Sequence, residues 1–488
     1  MKCIQLYPND TVALATETLR RGDRVMIGGK TVAILDDIPN AHKFALKDFA
    51  EGEVVVKYDN PIGRASRPIR KGEWVHEHNL VSGLTDHKAY TYRFSAESTI
   101  LPGRSEDTFM GYLRRDGSAG IRNYLAVIPT VSCANGPLQR IVRAAEAKYA
   151  KSENFDGVLA LTHPYGCSQT GSDLETTTKI LAGLVQNANF GGALLVSLGC
   201  EIAHPDTLLP FLAQHDKSRM RVLSLQDCGD EIDEGLRLID ELMADVLTCK
   251  RAPLPLGKLH IAMNCGGSDG HSGITANTLL GALCDTMVKK GVTMSMTEVP
   301  EMMGAEHILM NRAVNRKVFE DIVRLIRTYE AYFAKYGESA GDNPTQGNKA
   351  GGLTTLVEKA LGCTQKGGHC AVSDVLAYGD RAKTPGFILI SGPGNDLAGI
   401  TGQIAAGAVL VIFTTGRGTP CGFAAPVFRL SSNTALAVKK PGWIDYDAGR
   451  LLDAADDPAR AEALHEELLR RILDTANGAY ATRSEQNG

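Results

Sequence analysis

The 488-residue sequence lacks the marks of a membrane or secreted protein. No run approaches the ~20 consecutive apolar residues that a membrane helix needs, and the N-terminus has no apolar signal core. An excess of basic residues is also missing, since 52 Lys and Arg face 56 Asp and Glu and the formal net charge is -4. This charge excludes a basic surface for nucleic acid or anionic membrane. We therefore expect a cytoplasmic protein whose partner is a small molecule.

The cysteines lack the spacing of a disulfide framework or a zinc ribbon. There are eleven, an odd number, and no CxxC pair occurs. We interpret them as reduced thiols, most of them small buried hydrophobic side chains. Six follow predicted strands, where open α/β sheets place their ligands: Cys133, Cys167, Cys200, Cys228, Cys265 and Cys421.

Three nucleotide and hydrolase motifs are missing as well. No GxGxxG is followed by a suitably placed acidic residue, and neither a Walker A loop nor a GxSxG elbow occurs. Instead, glycine-rich polar loops follow several predicted strands. Four such loops in one chain predict a composite polar site between α/β units: Ser132–Gly136, His163–Gly171, Cys265–Gly273 and Gly416–Gly422.

The third of these loops lies in the most informative stretch, Leu259–Thr275, which predicts a strand, a turn and a helix from about Ser272. Its glycines, Gly266 and Gly267 among them, allow close approach to a ligand, and the helix N-terminus suits an anion. Several neighbours add acid, base or ligand chemistry: Asn264, Cys265, Ser268, Asp269 and His271. The alternative is a tight turn in which Asp269 caps the helix.

The pattern along the chain predicts four parts. Residues 1–85 carry short apolar runs separated by glycine turns and indicate a small all-β domain. Residues 86–109 are polar and weakly periodic, as in a linker. Residues 110–255 and 256–488 alternate strands with helices and predict two Rossmann-like α/β regions.

Two polar pairs stand out in the β domain. His76 and His78 follow Trp74 in its last predicted strand, and alternation places both on one face about 7 Å apart, where they could share a metal. The alternative is a pair of solvated side chains. His42 and Lys43 form the second pair, for which a surface loop is the alternative interpretation.

Several motifs resemble those of the altronate and galactarate dehydratases, over nearly the whole chain. Gly52-Glu-x-Val-x-Lys-Tyr58, Ile62-Gly-x-Ala65 and Gly72-Glu-Trp-Val-His-x-His-Asn79 resemble the family's SAF-type β-clip domain. The larger dehydratase region is matched by Arg115-Asp-Gly-x-x-Gly-x-Arg-Asn-Tyr124, His163-x-x-Gly-Cys167, Asn264-Cys-Gly-Gly-Ser-Asp269 and Asn343-Pro-x-x-Gly-Asn-Lys-Ala-Gly-Gly352.

The resemblance implies a metal-dependent hydro-lyase that converts a sugar acid, first of all D-altronate, to a 2-keto-3-deoxy acid. It implies Fe2+, with Mn2+ as the alternative, and our hypothesis is that His76 and His78 bind this metal. Candidate acids and bases are His42, Lys43, His163, His271 and Asp269. Candidate substrate-binding residues are Arg122, Asn123, Cys167, Asn264, Cys265, Gly266, Gly267, Ser268, Asn348 and Lys349. For Arg122 and Asn123 the alternative is a surface ion pair before a strand.

Several alternatives stay open. Galactarate is a second substrate of the same family, and a related branch removes sulfite from sulfolactate. An iron–sulfur hydro-lyase that uses Cys133, Cys167, Cys200 or Cys265 ranks lower, as does a nicotinamide-dependent oxidoreductase. A non-catalytic carbohydrate-binding protein is the alternative of another class. We expect a homo-oligomer.

Overall fold

The computed structural model describes residues 2–84, 89–94, 99–212, 216–340 and 343–487. Parts of the predicted linker, residues 86–88 and 95–98, fall outside these ranges. Among the described residues, no helix has the length and apolar character needed to cross a membrane.

The N-terminal part is a small β domain, as predicted. Its strands form three sheets with the orders β1-β2-β5-β8, β3-β4 and β6-β7-β9, and the pairing is antiparallel. Glycines with positive φ, such as Gly22 and Gly72, make the turns between them. The strands are β1 (Cys3–Ile4), β2 (Val12–Ala15), β3 (Arg24–Ile27), β4 (Lys30–Ala33), β5 (Lys43–Ala45), β6 (Val54–Lys57), β7 (Asn60–Ala65), β8 (Trp74–Val75) and β9 (Leu80–Val81).

The first α/β region contains a parallel sheet of order β13-β12-β14-β15 and an antiparallel sheet of order β11-β10-β16. Its strands are β10 (Thr108–Leu113), β11 (Ala119–Gly120), β12 (Tyr124–Pro129), β13 (Gly157–Ala160), β14 (Phe190–Ser197), β15 (Met220–Ser224) and β16 (Ala252–Pro255). Its helices are α1 (Asn135–Lys148), α2 (Gly171–Val185), α3 (Pro205–Leu208) and α4 (Glu231–Val246). Strand β16 contains the prolines Pro253 and Pro255, which it tolerates because it lies at the edge of its sheet.

The second α/β region contains a seven-stranded parallel sheet of order β19-β20-β18-β17-β21-β22-β23. Its strands are β17 (His260–Cys265), β18 (Thr293–Met296), β19 (Val372–Leu376), β20 (Phe387–Ile390), β21 (Leu410–Thr415), β22 (Val427–Ser431) and β23 (Tyr446–Asp447). Its helices are α5 (Ala276–Lys289), α6 (Glu306–Met310), α7 (Arg316–Lys335), α8 (Gln346–Ala350), α9 (Leu356–Thr364), α10 (Asp396–Ala405), α11 (Thr434–Lys439), α12 (Pro458–Ala476) and α13 (Arg483–Asn487).

The two α/β regions share one hydrophobic core. Ala126 and Ile128 of the first sheet lie in the same buried cluster as Val411 and Phe413 of the second. Helices α2 and α10 pack closely because Gly183 has no side chain to meet the backbone of α10. The two sheets are thereby held in a fixed relation.

Two local predictions are wrong. Strand β8 ends at Val75, so His76 and His78 lie in the following turn and the alternation argument for a shared face does not apply. Helix α5 begins at Ala276 rather than about Ser272, because residues 271–275 form turns in which the amides of Ile274 and Thr275 bond to the carbonyl of His271.

Candidate active site

A topological switch point lies at the carboxyl ends of the central strands of the second sheet, and we call the space outside it the crevice. Strand β17 lies between β18 and β21. The strands that follow β17 in the chain, β18 to β20, are added on one side of it, and those from β21 onwards are added on the other side. Parallel α/β sheets bind ligands at such a switch point. The loops after the two strands are joined there, since the amides of Gly416 and Arg417 donate to the carbonyl of Gly267 at 3.1 and 2.7 Å.

Asp269 organises the loop after β17. One carboxylate oxygen accepts bonds from the amides of His271 and Ser272 and from the hydroxyls of Ser272 and Ser432, and the other accepts from Asn433. The side chain is buried, and its hydrogen bonds join the loop after β17 to Ser432 and Asn433. These bonds support a structural role for Asp269 rather than the catalytic role predicted from the sequence.

The β domain inserts a loop into this region. Ala41 has a φ of +69°, and its carbonyl lies where a Cβ on either Gly270 or Gly352 would collide with it. Asn40 Oδ1 lies 2.9 Å from His271 Nε2, while His271 Nδ1 is buried without a partner among the described residues. The insertion brings the β domain against the loop after β17.

A buried charge network lies at this contact. Glu358 on α9 pairs with Lys43 and Lys57 of the β domain, each at 2.8 Å. The two ammonium groups lower the pKa of Glu358 to about 2, against the opposing effect of its burial, while burial lowers the pKa of Lys43 to about 8. Two ammonium groups share this carboxylate, and the Asp10 carboxylate also acts on Lys57, so positive and negative side chains alternate across the interface.

Thr354 connects this network to His76. Lys43 Nζ donates to the Thr354 hydroxyl and to the carbonyl of Gly352, and Thr354 Oγ1 lies 3.0 Å from His76 Nδ1. Among the described residues, no hydrogen-bond partner is found for His76 Nε2. The hydrogen bonds from Lys43 to Thr354 and between Thr354 and His76 therefore fix the orientation of the His76 imidazole, and they leave its Nε2 for a ligand.

Hydrogen bonds define the state of His42. The Trp74 indole can only donate, and it donates to His42 Nδ1 at 3.2 Å, so Nε2 carries the proton and faces the Ala350 carbonyl at 3.4 Å. His42 is thus a neutral imidazole with both nitrogens engaged. Trp74 also stacks on His76 at a centroid distance of 5.2 Å and contacts the exposed His78 at 5.3 Å.

His163 is engaged in the same way. Its Nδ1 accepts from the Tyr165 amide at 3.1 Å, and its Nε2 lies 2.7 Å from the Pro129 carbonyl, to which it donates. Burial lowers its pKa, which keeps the ring neutral. These contacts engage both ring nitrogens of His42 and of His163, which supports a structural role for the two rings.

Burial of neutral histidines makes stability depend on pH. Burial is the largest cause that lowers the pKa of His42 to about 4 and of His76 to about 3, from the ordinary 6.5. Because the unfolded chain takes up these protons first, the free energy of unfolding is expected to fall as the pH drops from 6.5 to about 4. Urea denaturation across this range would measure the loss, and His42→Gln should flatten it.

His369 provides a control of opposite sign for this pH prediction. Its hydrogen bond to Asp285 raises its pKa, so its charged form stabilises the folded state below the unfolded pKa and that contribution is lost as the pH rises. We expect His369→Gln to leave the acid loss below pH 6.5 unchanged and to remove the gain in stability that the parent chain shows as the pH drops to 6.5 from above. A His42→Gln slope parallel to that of the parent chain below pH 6.5 would contradict the assignment.

A second buried group lies under the loop after β17, at the other side of α9. Its donor atoms all lie within 4.8 Å of one another, and all four residues are buried: Cys265, Glu298, Glu301 and Cys363. Lys366 Nζ donates to the sulfurs of Cys265 and Cys363 at 2.8 and 3.0 Å. This Cys–Glu group is compatible with metal binding, because thiolates and carboxylates suit borderline divalent ions.

Protonation differs among the members of the Cys–Glu group. Burial raises the pKa of Glu298, and Cys363 together with burial raises the pKa of Cys265, so both hold their protons. The pKa of Glu301 is lowered by Lys359, which contacts it at 2.7 Å, and the pKa of Cys363 is lowered by its contact with Cys265. Glu298 also has a φ of +69°, a strained conformation for this residue type that is common at functional sites.

Asp396 connects the Cys–Glu group to the crevice, and the sequence prediction missed it. It begins α10, is partly exposed, and lies over Gly266, where any Cβ would collide with its carboxylate. Burial and the nearby Glu301 raise its pKa. Its position after a predicted strand was the available signal, and the same holds for Glu298 and Glu301.

Other predicted substrate ligands are occupied by the protein itself. Arg122 forms a bidentate pair with Glu485 at 2.6 and 3.0 Å. The side-chain amide of Asn123 accepts a hydrogen bond from Arg114 and donates to two backbone carbonyls. Both lie buried in the first region, and their contacts support a structural role. Cys167 is exposed on the same region.

The remaining predicted ligands lie near the second sheet. Asn348 donates to the Ser268 carbonyl at 2.8 Å and holds α8 against the loop after β17. Lys349 pairs with Glu77 of the β domain at 3.1 Å. Asn264 is buried, and its Nδ2 has no partner among the described residues. The structure therefore gathers the predicted loops of the β domain and the second region, and leaves Arg122 and Asn123 outside the site.

Family comparisons match the chain in three successive segments. The SAF domain of altronate/galactarate dehydratases matches residues 1–83. The second domain of D-galactarate dehydratase/altronate hydrolase matches residues 111–247, and the C-terminal domain of D-galactarate/altronate dehydratases matches residues 256–488.

Curated relatives match over almost their whole length. Altronate dehydratase of Bacillus subtilis (strain 168) is 42% identical over 486 residues, which cover 99% of this chain and 97% of the relative. Altronate dehydratase of Escherichia coli (strain K12) is 40% identical, covering 100% and 97%. Galactarate dehydratase (L-threo-forming) of the same organism is 32% identical, covering 99% and 94%.

Proposed function

The chain belongs to the D-galactarate/altronate dehydratase family, and on that premise we propose that it is a hydro-lyase that converts D-altronate to 2-dehydro-3-deoxy-D-gluconate and water. The observation that carries the choice of substrate is the identity of 42% and 40% with altronate dehydratases, against 32% with a galactarate dehydratase. Galactarate is the second candidate. Sulfolactate is the third, because subunits of a (2R)-sulfolactate sulfo-lyase also match parts of the chain.

The reaction poses two problems for the protein. A proton on the carbon beside a carboxylate is weakly acidic, and hydroxide is a poor leaving group. An environment that stabilises the developing negative charge eases the first, and a proton donor at the leaving oxygen eases the second. We propose that the β domain supplies the first kind of group and the second sheet supplies the second.

We assign the charge stabilisation to the contact between the β domain and α9. The Lys43 ammonium group, which shares Glu358 with Lys57, is the proposed attraction for the substrate carboxylate. His76 Nε2, held by Thr354, is the proposed proton-transfer group on this side. Asp396 is the proposed acid on the other side, because its carboxylate lies against Gly266 in the loop after β17 and burial raises its pKa.

The role of Asp396 can be tested by its pH profile. Asp396→Asn is expected to lower kcat about 10-fold or more and to remove the limb of the profile on which activity falls as the pH rises through the carboxyl pKa. The exposed Asp456→Asn variant is the control and should keep the parental profile. An unchanged limb in Asp396→Asn would assign the acid elsewhere.

We propose Fe2+ as the divalent ion, with Mn2+ as the alternative. When bound, such an ion would stabilise negative charge on carboxylate and hydroxyl oxygens. The Cys–Glu group fits it by donor type and by charge: Glu301 and Cys363 as anions balance Lys359 and Lys366, while Cys265 and Glu298 hold two protons that an ion can replace. Lys366 must leave the two sulfurs when the ion binds. The pair His76 and His78, predicted from sequence, is the second proposed ligand set.

The finer fold and assembly also remain proposals. The switch points of both parallel sheets support the Rossmann-like description of the two α/β regions. The domain boundaries at residues 85, 109 and 255, and a homo-oligomer, belong to the same proposal.

The proposed reaction is tested with a substrate panel. The full chain, incubated anaerobically with Fe2+, is given D-altronate, galactarate, glucarate and sulfolactate, and 2-keto-3-deoxy acid and sulfite are assayed. We expect the highest kcat/KM with D-altronate and no need for nicotinamide. Preference for galactarate or sulfite release from sulfolactate would reassign the substrate, and binding of altronate without turnover would indicate a carbohydrate-binding protein.

A further inference from the structure

The first parallel sheet has a switch point of its own, and three cysteines surround it. Strand β12 lies between β13 and β14, so the chain turns to opposite sides after β12 and after β13. Cys133 follows β12, Cys167 follows β13 and Cys200 follows β14. All three are exposed, unlike the buried Cys284 and Cys370. Their thiols are therefore not used for packing.

Backbone contacts join the loops that carry these cysteines. The amide of Ser132 donates to the Tyr165 carbonyl at 2.8 Å, and the amide of Ala203 donates to the Gly166 carbonyl at 3.2 Å. Gly166 has a φ of +115° and packs so closely on Val131 that a Cβ would lie 2.6 Å from the Val131 Cα. The loops after β12, β13 and β14 thus meet at Gly166, next to Cys167.

A buried carboxylate fixes the turn that presents Cys200. Glu201 accepts bonds from the hydroxyls of Thr130 and Ser197, both at 2.5 Å, and from the amide of Gly199 at 2.7 Å. Thr130 directly follows β12, and Ser197 is the last residue of β14. Through Glu201, the turn that carries Cys200 is therefore hydrogen-bonded to the segment between β12 and Cys133.

The three thiols favour a ligand larger than a single ion. Two sulfurs on one ion, each at about 2.3 Å, can be no more than about 4.6 Å apart. In the described part of the chain, the Cys–Glu group is the set of candidate metal ligands whose donor atoms all lie within 4.8 Å of one another. Cys133, Cys167 and Cys200 do not form such a set, so one ion does not bridge all three. Helices α1 and α2 start just after Cys133 and Cys167, and their N-termini favour a negatively charged group.

We propose that Cys133, Cys167 and Cys200 bind an iron–sulfur cluster of the four-iron class at this switch point. Such a cluster spans a wider triangle of thiolates than a single ion, and three protein ligands leave one iron open to a small molecule. The site lies in the first α/β region, apart from the Cys–Glu group of the second. Its existence does not depend on which sugar acid is the substrate.

The test uses the full chain, reconstituted anaerobically with ferrous iron, sulfide and a thiol reductant. We expect about four acid-labile sulfide per chain, about four iron in the cluster with up to one more in the site proposed for Fe2+, and a visible absorption that bleaches on reduction. Each of Cys133→Ser, Cys167→Ser and Cys200→Ser should lose most of the sulfide and the absorption. Cys228→Ser is the matched control, because Cys228 follows the neighbouring strand β15 as the other three follow theirs, and it should keep both.

Sulfide content separates this proposal from the iron proposed for the Cys–Glu group, since a single ion binds without sulfide. Iron uptake without sulfide, or equal sulfide in the three variants and the control, would overturn the cluster. Circular dichroism of each variant shows whether the fold is intact, and Cys→Ala variants repeat the measurement where serine disturbs it. A chain that holds the cluster but does not dehydrate altronate would refute the proposed substrate and not the cluster.

Discussion

Replacing Glu358 by glutamine is expected to lower the free energy of unfolding by about 3–5 kcal/mol. The carboxylate is fully buried and is the shared partner of Lys43 and Lys57, whose side chains are also buried. The amide keeps the shape but not the charge, so two ammonium groups would stay inside the protein without a counterion. Removal of one partner from a buried pair costs more than the pair itself contributes, which explains the size of the effect.

Urea denaturation at neutral pH would measure this loss, with Glu53→Gln as the control. Glu53 forms a surface pair with Lys47, and such pairs contribute about 0–1 kcal/mol. In the parent chain, the contribution of Glu358 is present above the ordinary carboxyl pKa and is lost as the pH falls through about 2. Equal losses in the two variants would show that the buried network does not stabilise the domain contact.

The loops of the site could be predicted because they follow a general rule of parallel sheets. Apolar runs that end in glycine and polar residues place Asn264–Asp269 at the carboxyl edge of a sheet, and the structure puts that loop at a switch point. The motif resemblance identified the family, which the comparisons confirm. The same rule would have included Glu298, Glu301 and Asp396, which follow other strands of that sheet.

The partners of each side chain could not be predicted. Glu358 and Lys366 lie at the two ends of one helical segment, and nothing in its periodicity shows that one faces the β domain and the other the sulfur atoms. His42 and His163 were candidates because of their residue type, and only their hydrogen bonds show that both nitrogens are engaged. Arg122 has the charge that suits a carboxylate, but that carboxylate is Glu485 of the same chain.

Replacing His76 by asparagine is expected to lower kcat by about 10²- to 10⁴-fold, the usual contribution of a positioned acid or base. The ring is buried, stacked on Trp74 and held through Nδ1 by Thr354. His78 is the matched control, because it lies in the same turn and contacts the same indole, but its ring is exposed. We expect His78→Asn to keep most of the activity.

Iron content and kinetics together distinguish the two roles proposed for His76. If His76 and His78 are the metal ligands, both variants lose Fe2+ and activity to a similar extent. If His76 transfers a proton, its variant keeps the iron, and kcat falls while KM changes little. Thr354→Val should then reduce kcat, because it removes the hydroxyl that orients the ring, whereas Thr354→Ser should restore it. Full activity in both His76→Asn and Thr354→Val would place proton transfer elsewhere in the crevice.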